Sequence, residues 1–149
     1  MLNILIPVDG SEQSLEAVRH ALKLVGMGLK ARFVVANVQS TANLYEMVVA
    51  HDPAVLNKVN EAAGRDLMRP AVALLKAAGQ QVEQEVATGD PAQMLVEILE
   101  RHGCGAVIMS AQGSGDLRAA VLGSVSHEMV QRSPVPVTVV KPAVVDADD

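Results

Sequence analysis

The chain has 149 residues, a formal net charge of −5 and a single cysteine. This length suits one domain, the lone cysteine excludes an intrachain disulfide and a cysteine-based zinc site, and the lack of a basic run argues against a nucleic-acid partner. No apolar run approaches the roughly 20 residues of a membrane span, and no basic signal-like segment opens the chain, so we expect a cytoplasmic protein without membrane insertion.

The first part of the chain predicts a strand, a helix and a second strand. Residues 2–8 ("LNILIPV") and residues 32–38 ("RFVVANV") are short runs rich in branched aliphatic residues, which is typical of buried strands. Between them, apolar residues recur at helical spacing. Gly10-Ser11 predicts the start of this helix, with Ser11 as its N-cap, and Gly26 predicts its end.

The middle of the chain predicts a long helix followed by a strand near a sheet edge. After a loop at residues 40–52, the helical pattern covers residues 53–78. Pro70 lies inside this pattern, and because proline removes a helical hydrogen bond, we expect the helix to kink or to break in two there. Residues 81–88 ("QVEQEVAT") alternate between polar and apolar residues, which indicates a half-exposed strand.

The last part of the chain predicts two further helix and strand pairs. Asp90-Pro91 combines an N-cap residue with proline at the first helical position, which indicates a helix start. Residues 106–109 form a short apolar strand. A final helix begins at Gly123, and residues 135–141 ("VPVTVVK") predict the last strand.

The order of these elements predicts the class of fold. Strands alternating with helices indicate right-handed crossovers and a three-layer α/β/α sandwich, with a parallel sheet between two layers of helices. Residues 143–149 ("AVVDADD") predict a disordered acidic tail. In such sheets, ligands bind outside the carboxyl ends of the strands, where the strand order reverses. This rule selects residues 7–11, Val38 and residues 110–113 as the candidate ligand site.

The segment "SAQGSGDLRAAVLGSVS", residues 110–126, predicts a phosphate-binding loop. Gly113 follows the fourth strand, and Gly123-Ser124 opens the next helix. A helix N-terminus offers unpaired N–H groups and about half a positive charge, and glycine allows a phosphate to approach the backbone closely. The alternative is a plain connection in which Gly113 turns the chain and Ser124 caps the helix.

Three stretches carry a resemblance to a known family: "ILIPVDGSEQSLEAV", "GDPAQMLVEI" and "GSVSHEMVQRSPVPVTVVK". In this order and spacing, the chain resembles the universal stress protein family over nearly its whole length. The resemblance implies a universal stress protein domain at residues 1–142. Its sheet would be five-stranded and Rossmann-like, of the adenine nucleotide alpha hydrolase type, with strand order 3-2-1-4-5. It also implies an ATP- or AMP-binding regulatory module for the stress response, and Mg²⁺ can accompany ATP.

Nucleotide-binding members of the family share a glycine motif: glycine, two residues, glycine, nine residues, glycine, then serine or threonine. This chain matches the motif at Gly113, Gly123 and Ser124 and departs from it at Ser110, which replaces the first glycine. By resemblance, the nucleotide-binding residues are Pro7, Val8, Asp9, Val38, Met109, Ser110, Gln112, Gly113, Gly123, Ser124, Val125 and Ser126.

The resemblance also implies a role for each part of this set. Asp9 and the backbone of Val38 would contact the adenine, and Met109 would line the base and sugar. The phosphates would be surrounded by Gly113, Gly123, Ser124, Val125 and Ser126. The last strand would pair antiparallel with its twin across a two-fold axis, with Val137 and Val139 at the homodimer interface. An unprotected apolar edge strand needs such covering.

Two other functions stay open at this stage. A dimeric stress adaptor that binds no nucleotide is favoured by Ser110, because members without the glycine motif are expected not to bind ATP. A slow ATPase would need a group that orients water, for which Gln112 is the candidate; with no evident general base, we expect at most weak hydrolysis. Taken alone, Asp9 is also a plausible turn residue. We predict no metal site and a structural role for Cys104.

Overall fold

The computed structural model describes residues 1–39, 53–111 and 123–142, with side chains from Lys58 onward in the second range. Five strands and four helices alternate along these residues. The predicted loop at residues 40–52, the site residues Gln112 and Gly113, and the predicted acidic tail lie outside the described residues.

The five strands form one parallel sheet. They are β1 (Leu2–Pro7), β2 (Ala31–Gln39), β3 (Val82–Thr88), β4 (Ala106–Ser110) and β5 (Val137–Val140). Their order in the sheet is β3-β2-β1-β4-β5. The predicted order 3-2-1-4-5 is therefore confirmed, and β3 lies at an edge, as its mixed pattern indicated.

Helices cover both faces of the sheet. They are α1 (Leu15–Gly26), α2 (Pro53–Ala77), α3 (Pro91–Arg101) and α4 (Ser124–Arg132). Ile4 and Ile6 of β1 pack with α1 and α2, whereas Leu5 between them packs with α3 and α4. This alternation is the one expected when both faces of a strand are buried. The predicted three-layer α/β architecture is thus confirmed.

The first helix begins later than its sequence predicts. The prediction places its start at Gly10-Ser11, but α1 begins at Leu15. Ser11 does act as a cap, since its Oγ accepts a hydrogen bond from the N–H of Ser14 at 3.1 Å. The bonds that follow, such as Leu15 N–H to the carbonyl of Glu12, span three residues rather than four. A tight turn of 3₁₀ type therefore precedes the α-helix.

Proline bears on two further predictions. At Pro70 we expected a kink or a break; α2 is one helix from Pro53 to Ala77, so of these two alternatives the break into two helices does not occur. The strand β5 begins at Val137 rather than two residues earlier. Pro136 has no N–H to donate, and the Oγ of Ser133 binds the backbone of Val135 in a local turn, which delays the start of the strand.

Candidate functional site

The neighbouring strands β1 and β4 share only a short paired stretch, which ends before either strand does. β1 pairs with β2 along all six of its residues but with β4 only at Ile4 and Leu5. Both strands continue further, to Pro7 in β1 and to Ser110 in β4. The strand order reverses at this same boundary. The space between the carboxyl ends of the two strands, which we call the β1–β4 crevice, is therefore the switch point where ligands bind in such sheets.

The β2 side of the crevice offers one backbone donor and one backbone acceptor. The carbonyl of Ala36 accepts from the N–H of Val8 at 2.9 Å, whereas that of Gln39 accepts on the β3 side. Backbone groups alternate between the two sides of a strand, so those of Val38 point toward β1, like those of Ala36. Because β1 ends at Pro7, the N–H and C=O of Val38 lie beyond the reach of that strand.

A buried asparagine holds the end of β1 in place. Asn37 is 3% exposed, and its Nδ2 donates to the carbonyl of Val8 at 2.9 Å. Its Oδ1 accepts from Nε2 of Gln39 at 2.6 Å. Gly64 of α2 packs closely on this amide, since a Cβ there would lie 3.2 Å from Oδ1. These bonds satisfy a buried polar group and fix the residue that precedes Asp9.

The turn from β1 to α1 presents a carboxylate at the crevice. Asp9 is exposed, and its Oδ1 accepts from the N–H of Ser11 at 2.9 Å. Gly10 between them has φ +86°, a conformation that disfavours any side chain. Asp9 is therefore a turn residue, as one reading of the sequence proposed, and its carboxylate is also accessible to a ligand.

Replacing Gly10 with alanine should destabilise the protein by about 1–3 kcal/mol. The positive φ strains any residue with a Cβ, and the new Cβ would overlap Cδ2 of Leu67, besides lying 3.3 Å from its Cβ. Urea unfolding of Gly10→Ala, Leu67→Ala and the double variant separates the two causes. We expect the second substitution to relieve about 1 kcal/mol of the first. Strictly additive effects would show that the overlap has no energetic weight.

The opposite wall of the crevice is the start of α4. The carbonyl of Ala111, just after β4, accepts from the N–H of Gly123 at 2.5 Å and from Oγ of Ser126 at 3.0 Å. These bonds hold the residue after β4 against the first turn of α4. The N–H groups in that turn have no intrahelical acceptor, and Ser124 is exposed there. This end of the helix attracts anions.

The two motif serines on α4 differ in what they can donate. Ser126 is 2% exposed, and its Oγ lies 3.0 Å from the carbonyl of Ala111 and 2.9 Å from that of Gly123. Carbonyls only accept, so its single proton is used within the chain. Ser124 is exposed, so its hydroxyl is accessible to a ligand. Of the two, only Ser124 is placed to donate to a phosphate.

Ser110, at the end of β4, is bonded to the segment that precedes α1. Its Oγ donates to the backbone carbonyl of Gln13 at 2.6 Å, which joins the end of β4 to the turn before α1. The same carbonyl also accepts from the N–H of Glu16 at 3.1 Å. The side chain that replaces the first motif glycine is thus committed to α1, and only its lone pairs remain for a ligand.

The structure brings most of the predicted site to one edge of the sheet. Ten of the twelve predicted nucleotide-binding residues are described, and they lie at the carboxyl ends of β1, β2 and β4 or in the first turn of α4; Gln112 and Gly113 are outside the described residues. Met109 and Val8 are each 5% exposed and pack on opposite faces of the sheet. Because so little of either side chain is exposed, a ligand can contact only a small part of their surface.

Sequence reasoning missed three residues that shape this site. Asn37 could have been noticed, because a polar side chain within "RFVVANV" is unusual for a buried strand. Gln13 and Ala111 act through backbone carbonyls. Every residue has such a carbonyl, so no pattern of side chains identifies these two.

The described residues show no sign of metal chemistry or of a reactive thiol. Across residues 1–39, 53–111 and 123–142, no three histidine, cysteine or acidic side chains are grouped as metal ligands. Cys104 is buried, and burial, with a smaller contribution from Glu83, raises the pKa of its thiol to about 11. A protonated, enclosed thiol is a poor nucleophile, which agrees with the structural role predicted for it.

The native protein should therefore react very slowly with a thiol reagent. Cys104 is the only cysteine, and a pKa near 11 leaves about 100-fold less thiolate at pH 8 than an ordinary cysteine has. With Ellman's reagent at pH 8, we expect little colour from the folded protein and one equivalent after unfolding in urea. Rapid native labelling would contradict this environment.

Among the helices of the described residues, none combines the length and the apolar composition that a membrane span requires.

The sheet order and the switch-point crevice define a Rossmann-like α/β protein. The chain belongs to the universal stress protein family, whose sequence model matches residues 1–141. The family resemblance carried by the three sequence stretches is therefore confirmed.

Two curated relatives come from the archaeon Methanocaldococcus jannaschii. Universal stress protein MJ0531 is 25% identical over 138 residues, covering 93% of this chain and 81% of the relative. Universal stress protein MJ0577 is 28% identical over 152 aligned positions, covering 93% of each chain. The match with MJ0577 thus extends over nearly the full length of this chain and of the relative.

Solved structures share the same fold. That of MJ0577 superposes with a TM-score of 0.79 at 26% identity, covering 96% of this chain and 97% of the other. A universal stress protein in complex with cAMP gives 0.65 at 22% identity, covering 95% and 98%. A family member from Arabidopsis thaliana with AMP bound gives 0.68 at 17% identity, covering 100% and 99%. The last two likenesses establish the fold alone.

Proposed function

We propose that this chain is an ATP-binding regulatory module of the stress response that works as a homodimer. The observation that carries the proposal is the β1–β4 crevice, which opens between the backbone groups of Val38 and the first turn of α4. Two fold relatives hold adenine nucleotides, cAMP and AMP. We therefore assign the ligand to the adenine nucleotides, with ATP or AMP as the first candidates.

The base would lie on the β2 side of the crevice. Adenine presents a ring nitrogen acceptor next to an amino donor, which complements the N–H and C=O of Val38. The carboxylate of Asp9, at the end of the neighbouring strand, is a second acceptor for the amino group. A guanine edge has a carbonyl where adenine has its amino group, so the same groups would disfavour it.

The phosphates would lie at the start of α4. The free N–H groups of its first turn and the exposed hydroxyl of Ser124 donate to anionic oxygens. Gly113 belongs to this assignment by the motif alone. Any Mg²⁺ would arrive with ATP and keep most of its contacts with phosphate and water.

Regulation would follow from a difference in affinity between two arrangements of the chain. A ligand shifts such an equilibrium only as far as it binds one state more tightly than the other. Residues 114–122, between the two motif glycines, are the segment that we propose ATP orders. The dimer, joined through β5, would carry this change to a protein partner.

Equilibrium dialysis with labelled ATP, AMP, cAMP and GTP tests the proposal. We expect retention of at least one adenine nucleotide at micromolar protein, with weaker retention of GTP. Mass spectrometry of small molecules released from protein purified without added nucleotide would identify a resident ligand. If no nucleotide is retained at millimolar concentration, the assignment is wrong.

One competing function is favoured by a specific feature, the serine at the first motif position. If ATP binds only to the Ser110→Gly variant, the natural chain is a dimeric adaptor that binds no nucleotide.

If purified protein hydrolyses ATP slowly and Gln112→Ala abolishes turnover, the ATPase interpretation gains support. Turnover that survives Gln112→Ala and Gly113→Ala would indicate a contaminating enzyme.

A further inference from the structure

In the hydrogen bond between Ser110 and Gln13, the chemistry of the two groups decides which one donates. A backbone carbonyl has no proton to give, so in the 2.6 Å contact with Gln13 the hydroxyl must donate and the carbonyl must accept. Ser110 is half-buried at the carboxyl end of β4, and its contact with Gln13 is exposed. Because the hydroxyl proton is already donated to Gln13, the Ser110 oxygen can only accept a hydrogen bond from a ligand.

This acceptor stands between the two halves of the proposed nucleotide site. From β2 across the sheet, Val38 and Asp9 come first, Ser110 follows at the end of β4, and the first turn of α4 lies beyond. A nucleotide with its base at Val38 and its phosphates at α4 must place its sugar between them. The sugar would therefore lie beside Ser110.

The chemistry of the acceptor selects which ligand group benefits. A ribose hydroxyl carries a proton and can donate to Oγ of Ser110. A fully ionised phosphate oxygen has no proton, and its lone pairs would face those of the serine. Glycine at the same position would offer no side-chain acceptor at all. The replacement at the first motif position thus changes what the crevice recognises.

We infer that Ser110 is a specificity residue whose Oγ accepts a hydrogen bond from a ribose hydroxyl of the bound nucleotide, while its own hydroxyl donates to the carbonyl of Gln13. This inference rests on the proposed adenine-nucleotide function and adds the sugar to it. The chain then distinguishes ribonucleotides from deoxyribonucleotides, and the fixed bond to Gln13 keeps the serine oriented before the ligand arrives.

Competition binding with ATP, 2′-deoxy-ATP and 3′-deoxy-ATP tests the inference. We expect the natural chain to bind at least one of the two deoxy analogues about 2- to 10-fold more weakly than ATP, the effect of one neutral hydrogen bond. Ser110→Ala removes the acceptor together with the hydrogen bond to Gln13, and it should bind all three nucleotides equally. Ser110→Gly, which restores the family motif, should behave in the same way.

Three outcomes decide between the assignments. Equal binding of the three nucleotides by the natural chain, or a preference for ATP that persists in Ser110→Ala, overturns the role of Ser110 but leaves the nucleotide site intact. No binding of any nucleotide by the natural chain or the variants overturns the proposed function itself. Thermal unfolding of each variant shows that it is folded, so a lost preference cannot be attributed to a damaged sheet.

Discussion

Val139→Pro should convert the homodimer that we propose into a monomer without unfolding the protein. On β5, the carbonyls of Pro136 and Val140 bind β4, at 2.9 Å to the N–H of Val107 and at 2.8 Å to that of Ala111. By alternation, the backbone groups of Val137 and Val139 point away from the sheet. Proline at Val139 removes an outward N–H, which an edge strand tolerates, and blocks pairing with a second copy.

Light scattering after size exclusion measures this change directly. We expect the natural chain at twice the mass of the Val139→Pro variant at micromolar concentration, with circular dichroism unchanged. Val139→Ala is the matched control, because it trims the side chain and keeps the N–H, and it should weaken the dimer far less. A natural chain that is monomeric, or a proline variant that stays dimeric, would exclude pairing through this edge.

Asp9→Ala should weaken adenine-nucleotide binding by about 10-fold or more, since a hydrogen bond to a charged group contributes about 1.5–3 kcal/mol. The loss of stability should be small, because the bond from the N–H of Ser11 to Oδ1 is exposed. Isothermal titration calorimetry measures the first effect and urea unfolding the second. Full affinity in the alanine variant would remove Asp9 from the site.

Asp9→Asn gives a sharper comparison. The amide keeps an oxygen for the N–H of Ser11, so the turn survives, but it replaces the second carboxylate oxygen with a donor. That donor opposes the amino group of adenine and suits the carbonyl of hypoxanthine. We therefore expect the ratio of ATP affinity to inosine triphosphate affinity to fall by about 10-fold or more relative to the natural chain. An unchanged ratio would mean that the carboxylate does not read the base.

The sequence was sufficient to predict the fold because its signals are local and repeated. Runs of branched aliphatic residues marked the strands, and the Asp90-Pro91 pair marked the start of α3, where the Asp90 side chain accepts from the N–H of Gln93. The boundaries that differ are those set by backbone hydrogen bonds. The start of α1 moved to Leu15 because of the preceding tight turn. Within α2, the helix continues through Pro70, where Met68, Ala71 and Val72 are buried and tertiary packing outweighs one lost bond.

The site was predicted less completely, for a physical reason. The sequence named Asp9, Val38 and Ser124 as ligand contacts, and all three lie at the carboxyl edge of the sheet. It did not show that the hydroxyl of Ser126 is used within the chain, or that Asn37 holds the end of β1. Hydrogen bonds across 15 and 29 residues depend on where the chain returns, which local pattern does not encode.

By itself, the sequence determined the class of fold, the order of elements, the family and the single unusual residue of the glycine motif. Only the tertiary structure decided what that residue does. A serine can donate or accept, and the choice depends on its neighbour in space. The carbonyl of Gln13, 97 residues away along the chain, accepts the hydrogen bond of the Ser110 hydroxyl, so the serine oxygen keeps only its lone pairs for any other partner.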